Sequence, residues 1–263
     1  MTATTASSPG VSIVIPAWNE EDRLGTTLDH YLPALEARGE PFEIIVVVDG
    51  AGDGTADVAA AYSGRNVRLL HFPRRLGKGG AILEGLRDCR QPVIGFLDAD
   101  CNLPAGEVLA LIRGCESSGC VVGSRFRRPA GVLSSVDSRP LDRVLLSRLW
   151  RLYVRVLFNL PVSDTQCGAK FFQRDAVLPV LRTVEVTDWA FDVSLLYHIA
   201  KAGIAISEVP VSWTHSDGSK LDVGRVVPAM FMSAMAMRLV NSPLRPTIPP
   251  RLIVQLKRLV TAA

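Results

Sequence analysis

Two aspartates one residue apart, Asp98 and Asp100, are the part of this sequence that most clearly suggests chemistry. They follow an apolar run at 93–97 that predicts a strand buried on both faces. Such a strand ends at the edge of an open α/β sheet where ligands bind. Mg²⁺ in proteins is usually held by one or two carboxylates together with phosphate oxygens of a substrate. The pattern therefore favours a metal–nucleotide site, and the alternative is a surface turn with two solvated acids.

The composition is that of a globular chain. Its 263 residues, 48% hydrophobic and 21% charged, are enough for one large α/β domain or two small ones. The net charge of +3 is too small to indicate a nucleic-acid partner. The 5 cysteines form no Cys-x-x-Cys pair and are odd in number, which favours reduced and buried thiols.

The sequence also bears on the relation to membranes. No segment offers the roughly 18 apolar residues that a spanning helix needs. The first ten residues lack the basic and apolar regions of a signal peptide. We therefore expect a cytoplasmic protein, either soluble or peripheral on the cytoplasmic face of the membrane.

Apolar runs alternate with helical patterns and predict βαβ units in a mostly parallel sheet flanked by helices. The predicted strands are residues 11–15, 42–48, 67–70, 93–97 and 120–123. The predicted helices are one capped by Asn19, one from about Thr55, and residues 78–86, 103–117, 141–160 and 191–201. The expected organisation is a disordered tail at 1–10, one α/β domain at 11–225, and a proline-broken helical appendage at 226–263.

The segment 49–55 is a glycine-rich turn between a strand and a helix, yet it does not match the dinucleotide fingerprint G-x-G-x-x-G. Its carboxylates, Asp49 and Asp53, would repel a pyrophosphate, but they can accept hydrogen bonds from a base or from ribose hydroxyls. The alternative is a flexible turn. The segment 77–80 is not a P-loop, since no Ser or Thr follows Lys78.

Several motifs together resemble the inverting GT-A glycosyltransferases of family 2. In the first hundred residues these are Ile15-Pro16-Ala17-Trp18-Asn19-Glu20, Asp53-Gly54-Thr55, Gly77-Lys78-Gly79-Gly80-Ala81 and Asp98-Ala99-Asp100. The later motifs are Asp164-Thr165-Gln166-Cys167-Gly168-Ala169-Lys170, Trp189-Ala190-Phe191-Asp192, Val209-Pro210-Val211-Ser212-Trp213 and Ser219-Lys220-Leu221. These later motifs are more similar to the dolichyl-phosphate β-glucosyltransferase type than to the mannose type.

The resemblance implies a GT-A fold and a role for each matching position. It implies binding of the nucleotide sugar by Pro16, Trp18, Glu20, Asp49, Lys78, Asp98, Ala99 and Asp100. It implies Mg²⁺ or Mn²⁺ as cofactor, held by Asp98 and Asp100, with Asn102 as a further oxygen ligand. Asp98 and Asp192 are the implied catalytic residues, and Asp192 could be an acid, a base or a group that orients the sugar.

The sequence departs from the family pattern in three respects. The family usually has two adjacent acids at the second strand end, and the first of them is Val48 here, which puts base recognition in doubt. Ala169 stands where an aromatic residue is common, which could widen the acceptor pocket. The membrane-spanning helices of some relatives have no counterpart.

Cations suited to phosphate follow the Asp98 strand. Arg125 and Arg139 lie in a segment, 125–140, whose Arg, Ser and Pro content predicts a mobile loop, and Lys220 follows the last strand. Arginine binds phosphate oxygens through two parallel hydrogen bonds. We expect Arg125, Arg139 and Lys220 to bind phosphate, with Gln166 beside the acceptor. The alternative is solvated loop charges.

A basic amphipathic helix could contact a membrane. At helical spacing Arg148, Arg151 and Arg155 share a face of the segment 145–160, with Trp150 and Tyr153 among its apolar residues. The methionines and basic residues after 226 could act in the same way. The alternatives are a helix packed in the core and, for the methionines, gap filling or a dimer surface.

These observations predict a metal-dependent inverting transfer of a hexose, most simply glucose from UDP-glucose, to a polyprenyl phosphate. Three alternatives remain: GDP-mannose as donor, a soluble small molecule or protein as acceptor, and a sugar-nucleotide-binding module without turnover. The oligomeric state is left open by the sequence.

Overall fold

The computed structural model describes residues 9–126, 141–184, 190–212, 223–242 and 245–261. They contain a seven-stranded sheet with the strand order β3-β2-β1-β4-β6-β5-β7. The strands are β1 (Val11–Ala17), β2 (Phe42–Asp49), β3 (Val67–Phe72), β4 (Val93–Leu97), β5 (Cys120–Ser124), β6 (Ala169–Gln173) and β7 (Ile206–Pro210). The mostly parallel α/β fold that the sequence predicts is confirmed.

Helices cover both faces of the sheet. They are α1 (Glu21–Ala37), α2 (Thr55–Ala61), α3 (Gly77–Asp88), α4 (Ala105–Ser117), α5 (Leu141–Phe158), α6 (Arg174–Leu181), α7 (Phe191–Lys201), α8 (Val223–Val240) and α9 (Pro250–Thr261). Helices α1, α2 and α4 bury their apolar residues against one face of the sheet, while α3, α6 and α7 pack against the other. The central strands are buried on both faces, which is why they are continuous apolar runs.

The sheet register brings the functional segments to one edge. Strands β1 to β4 run parallel, so the chain after each of them leaves at the same end of the sheet. Strand β6 is antiparallel to β4, with Leu97 opposite Ala169. The residues just before β6 therefore lie beside the aspartates that follow β4.

A third apolar cluster lies away from the sheet, between α5, α7 and α8. Trp150, Val154 and Phe158 of α5 are buried there against Val193 and Met237. In α5 the apolar residues therefore divide between this cluster and the surface. Among the residues the structure covers, no helix has the length and apolar character needed to cross a bilayer.

Two local predictions are wrong. Asn19 does not cap α1, because its backbone is left-handed (φ 54°) and the cap position belongs to Glu20. The Asn19 side chain instead accepts a hydrogen bond from the Gly52 amide at 3.0 Å. Strand β1 does not stop before Pro16 as predicted, since its pairing with β2 continues to Ala17. Pairing with β4 ends at Val14, so β4 forms no ladder pair with Pro16.

Candidate active site

Asp98 and Asp100 begin the turn after β4. The Asp98 amide donates to the Gly168 carbonyl at 3.0 Å, which continues the β4–β6 pairing into the turn. A Cβ atom on Gly168 would lie 2.0 Å from Asp98 Oδ2. Glycine is therefore required at 168 if the Asp98 carboxylate is to keep its position.

Lys78, at the start of α3, forms an ion pair with Asp98 at 2.7 Å between Nζ and Oδ1. Burial lowers the pKa of Lys78, but the carboxylates of Asp98, Asp192 and Asp100 outweigh it and hold the pKa above its ordinary value. The ammonium is therefore charged at neutral pH. Helix α3 packs closely against α7 because Gly79 has no Cβ atom. A Cβ at this position would lie 2.6 Å from the Phe191 side chain.

Asp100 has an unsatisfied carboxylate oxygen. Its Oδ1 is buried and has no hydrogen-bond partner. Burial, and after it the neighbouring Asp98 carboxylate, raise the pKa of Asp100 to about 6. This oxygen could bind a divalent cation as a ligand. The cation would then offset the repulsion between the Asp98 and Asp100 carboxylates.

The donor set thus fits Mg²⁺ or Mn²⁺. Asn102, only 6% exposed on the same turn, carries an amide oxygen that a hard cation accepts as ligand. In the part of the chain that the structure covers, no cluster of three or more His, Cys, Asp or Glu side chains could hold a metal. Asp98, Asp100 and Asn102 are therefore the candidate ligands within the described residues.

Asp192 lies in a buried ion pair at the start of α7. Its Oδ1 is 2.5 Å from Lys170 Nζ, and the same ammonium donates to the Cys167 carbonyl at 2.7 Å. Lys170 is 0% exposed and Asp192 3%. The Asp192 carboxylate is therefore already engaged by a fixed cation.

The whole cluster carries a small negative charge. The three carboxylates, Asp98, Asp100 and Asp192, face two ammonium groups, Lys78 and Lys170. With all five groups ionised, one negative charge remains. Such a site attracts a cation first, and the anionic substrate can then bind to the cation.

Asp49 sits at the C-terminal end of β2 and is 1% exposed. Its oxygens accept hydrogen bonds from Arg75 Nη1 at 2.9 Å and from the amides of Leu76 and Gly77 at 3.1 and 3.0 Å. Burial raises the pKa of Asp49, although the Arg75 charge and these amides oppose the rise. The carboxylate thus holds the loop that leads into α3.

Trp18 forms an exposed platform next to this loop. It is 41% exposed, and the Arg75 guanidinium lies over its ring at 4.1 Å from the centroid. Arg75 therefore links the loop after β1 to Asp49. Pro16, which the resemblance placed in the same group, lies within β1.

The loops after β1 and β2 are fastened together. The Glu20 amide donates to Thr55 Oγ1 at 2.9 Å, and the Glu20 carboxylate binds Arg23 at 2.7 Å. Asp53 accepts from the Thr55 amide at 3.1 Å and from the Glu21 amide at 3.3 Å. The 49–55 turn is thus braced by hydrogen bonds to its neighbour.

Helix α1 fixes the turn that carries Asp98 and Asp100. Thr27 Oγ1 donates to the Ala99 carbonyl at 2.7 Å, and the Tyr31 hydroxyl donates to the Leu103 carbonyl at 3.1 Å. His30 Nε2 accepts from the Ala105 amide at 3.1 Å. These bonds hold Asp98–Asn102 without using either aspartate side chain.

On the other side of the cluster, Arg125 forms a bidentate ion pair with Asp164, at 2.7 and 2.9 Å. Burial raises the pKa of Asp164, but the hydrogen bonds and charge of Arg125 outweigh it and the pKa is lowered overall. Gln166 follows, and its Nε2 is buried with no hydrogen-bond partner. Arg139 and Lys220 lie outside the described residues.

The structure adds three residues to those chosen from the sequence: Arg75, Gly168 and Lys170. A lysine inside the apolar run Ala169–Gln173 was a signal that could have been noticed, because an unpaired buried ammonium is very costly. Arg75 had no such signal, since its partners are 26 and 57 positions away in the sequence.

The sequences of named relatives align with most of this chain. It is 34% identical over 226 residues to the dolichyl-phosphate beta-glucosyltransferase of Dictyostelium discoideum, covering 81% of this chain and 68% of that protein. The human dolichyl-phosphate beta-glucosyltransferase is 35% identical over 227 residues, covering 80% and 69%.

A solved structure shares the fold. Glucosyl-3-phosphoglycerate synthase from Mycobacterium tuberculosis, in complex with Mn²⁺, uridine diphosphate and glucosyl-3-phosphoglycerate, superposes with a TM-score of 0.62. The two are 19% identical, over 88% of this chain and 80% of that one. The fold is thus GT-A, as predicted. Residues 12–179 match the family described as Glycosyl transferase family 2, and the chain belongs to that family of glycosyltransferases.

Proposed function

We propose that this enzyme transfers glucose from UDP-glucose to a polyprenyl phosphate, with inversion at the sugar carbon and with a divalent metal. The observation that carries the acceptor class is the buried ion pair between Lys170 and Asp192. A hydroxyl acceptor needs a general base within reach of its proton. The Asp192 carboxylate is held by an ammonium at 2.5 Å, which suits a group that orients the sugar rather than one that removes a proton.

A phosphate acceptor needs no such base because it is already an anion at neutral pH. In the proposed step a phosphate oxygen forms a bond to the anomeric carbon while the bond from that carbon to the diphosphate breaks. The electron pair leaves with UDP, so no proton has to move. In-line geometry is then the main requirement on the protein.

The donor is supported by the names of the relatives and by the composition of the site. The relatives from Dictyostelium discoideum and Homo sapiens are named glucosyltransferases, and a structure with the same fold holds UDP and Mn²⁺. When bound, a divalent cation on Asp98, Asp100 and Asn102 would neutralise charge on the departing diphosphate. Lys78 would add a fixed positive charge beside it.

The nucleoside would bind at the loops after β1 and β2. Trp18 offers an exposed ring, Arg75 a guanidinium stacked on it, and Asp49 the anchor of that guanidinium. The absence of a second acid at Val48 then matters less, since Arg75 supplies the polar edge. Pro16, Glu20 and Ala99 would shape the same cleft through their backbone.

The acceptor phosphate would enter beside Arg125, opposite the nucleotide. Arg125 is held by Asp164 through two hydrogen bonds, which fix its positive charge on this side of the site. We assign Gln166, with its unpartnered Nε2, to the same side. Arg139 and Lys220 are assigned to phosphate binding on their residue type alone. We propose that the enzyme meets this lipid acceptor as a peripheral protein on the cytoplasmic face of a membrane.

The test is transfer of labelled glucose from UDP-glucose into a lipid-extractable product, with a polyprenyl phosphate, Mn²⁺ or Mg²⁺, and EDTA as control. We expect metal-dependent labelling that Asp98→Asn abolishes. Asp175→Asn, a matched change at a side chain that is 96% exposed, should retain full activity.

Other outcomes separate the alternatives. Labelled lipid from GDP-mannose but not from UDP-glucose would overturn the donor. Label in a water-soluble product alone would overturn the lipid acceptor. Binding of UDP-glucose with no turnover on either acceptor class would favour a binding module over an enzyme.

A further inference from the structure

Helix α5 carries two rows of side chains that its packing does not explain. The first row is aliphatic: Leu145, Leu149, Leu152 and Val156 are 58%, 48%, 61% and 73% exposed. They are spaced four, three and four residues apart and so share one face of the helix. An uncovered aliphatic face of this kind is typical of an interaction surface.

The second row is basic and lies next to the first. At 100° per residue, Arg148, Arg151 and Arg155 fall about a quarter-turn from the aliphatic row. Within the described ranges, none of the three forms an ion pair with a carboxylate. The Arg151 Nε is buried with no hydrogen-bond partner.

The opposite side of α5 is the one that packs. Trp150 and Val154 are buried in the cluster with α7 and α8. The Tyr153 hydroxyl donates to the Phe231 carbonyl at 2.7 Å, and Arg238 Nε donates to the Leu157 carbonyl at 2.7 Å. The helix is therefore firmly attached to the protein, and among the described residues its aliphatic row and the side chains of Arg148 and Arg155 stay exposed.

The arginine row also lines a cavity of about 520 Å³. The other walls include Asn159, Ser163 and Glu208. Glu208, the acid in the wall, accepts hydrogen bonds from Ser163 Oγ at 2.6 Å and from the Asp164 amide at 2.9 Å. Three arginine residues thus line a cavity large enough for a phosphate headgroup.

We infer that α5 docks the enzyme on an anionic phospholipid bilayer, with headgroup phosphates in the arginine-lined cavity and the aliphatic row in the acyl boundary. The inference rests on the proposed function, since it supplies the surface on which a lipid acceptor is met. Arginines without carboxylate partners match the negative charge of a leaflet, and Arg forks fit phosphate oxygens. The neighbouring aliphatic row is what an interfacial helix inserts.

The docking surface adjoins the acceptor side of the candidate active site. The Arg151 guanidinium lies over the Phe126 ring at 4.0 Å from the centroid. Phe126 follows Arg125, whose partner Asp164 comes directly after Ser163 of the cavity wall. A lipid phosphate at the bilayer surface would therefore approach the protein beside Arg125.

The experiment is sedimentation of the full chain with vesicles of phosphatidylcholine containing about 30 mol % phosphatidylglycerol, compared with phosphatidylcholine alone. We expect binding to the anionic vesicles that weakens with salt. Arg148→Gln/Arg155→Gln should weaken it about 25-fold, since each arginine at the surface contributes about fivefold. The matched control, Arg113→Gln/Arg182→Gln, removes two exposed arginines elsewhere and should change it less than about twofold.

A second variant tests the aliphatic row. Leu149→Ser/Leu152→Ser changes exposed residues only, so the melting temperature should be unaffected. The binding to vesicles that persists at high salt should be lost, because it depends on the aliphatic row. Equal binding to neutral vesicles, or unchanged binding of the arginine variant, would overturn the inference. So would a concentration-dependent dimer that the leucine variant abolishes while vesicle binding persists. Vesicle binding needs no substrate, so a chain that binds vesicles but transfers no glucose would contradict the proposed function alone.

Discussion

Replacing Lys170 by methionine should destabilise the protein strongly, because it leaves the Asp192 carboxylate buried without its cation. Lys170 Nζ lies 2.5 Å from Asp192 Oδ1, and the two residues are 0% and 3% exposed. Methionine matches the four-atom stem of lysine and lacks only the terminal nitrogen, so the change removes the charge with little change in packing.

The magnitude follows from the burial. Removing one partner of a buried ion pair costs about 3–5 kcal/mol in the free energy of unfolding. Asp192→Asn should cost a similar amount, since it strands the ammonium instead. The double variant Lys170→Met/Asp192→Asn should regain most of this loss. About 1 kcal/mol will remain lost in the double variant, because the Cys167 carbonyl has no donor once Lys170 is replaced.

The assay is a double-mutant cycle by urea unfolding, with Lys201→Met on the surface of α7 as control. Melting temperatures of the single variants should fall by roughly 10 °C. A coupling free energy of at least about 2 kcal/mol is expected between the two sites. A loss below about 1 kcal/mol for Lys170→Met, or a double variant that loses the sum of the single losses, would contradict a stabilising buried ion pair.

Three further predictions concern the site. Gly168→Ala should abolish glucose transfer, because the new Cβ would lie 2.0 Å from Asp98 Oδ2. Circular dichroism should show an unchanged fold. Retained activity would contradict the placement of Asp98. The affinity for Mn²⁺, measured by calorimetric titration, should fall as the pH drops through about 6, because protonation of Asp100 removes a ligand. In Asp100→Asn the affinity should show no fall at this pH. Arg75→Ala should raise KM for the donor several-fold with little change in kcat; an unchanged KM would remove Arg75 and Trp18 from the nucleotide site.

The same raised pKa of Asp100 has a consequence for stability without metal. Its folded pKa, about 6, exceeds the ordinary value of 3.8, so between these pH values the folded state binds more protons than the unfolded one. Stability should therefore fall as the pH rises from about 4 to about 6. Added metal should reverse that loss above pH 6, because it replaces the proton.

The local hydrophobic pattern of the sequence predicts the parallel strands β1 to β4. Strands β2 and β4 are apolar runs because both of their faces are buried, and such runs are readable without knowing the partners. Strand β6 was missed, since Ala169–Gln173 is short and contains a lysine. That lysine is buried only because a carboxylate 22 residues further along the chain meets it.

The site divides in the same way. Asp98 and Asp100 could be chosen because the strand before them is recognisable, and Asn102 follows on the same turn. The partner of Asp49 could not be chosen, because Arg75 reaches it from a loop 26 residues away. Asn19 was misassigned as a cap since its side chain bonds the Gly52 amide, a contact between two loops that no local signal records.

The antiparallel strand β6 connects the two halves of the site. Because it runs against β4, the Gly168 carbonyl receives the Asp98 amide at 3.0 Å, and Lys170 pairs in register with Phe96. The Lys170 side chain then reaches Asp192 of α7. One strand thus fixes the positions of both the Asp98 and the Asp192 carboxylates. A shift of β6 by one residue would turn Lys170 to the other face of the sheet and separate it from Asp192, while Gly168 would no longer face Asp98.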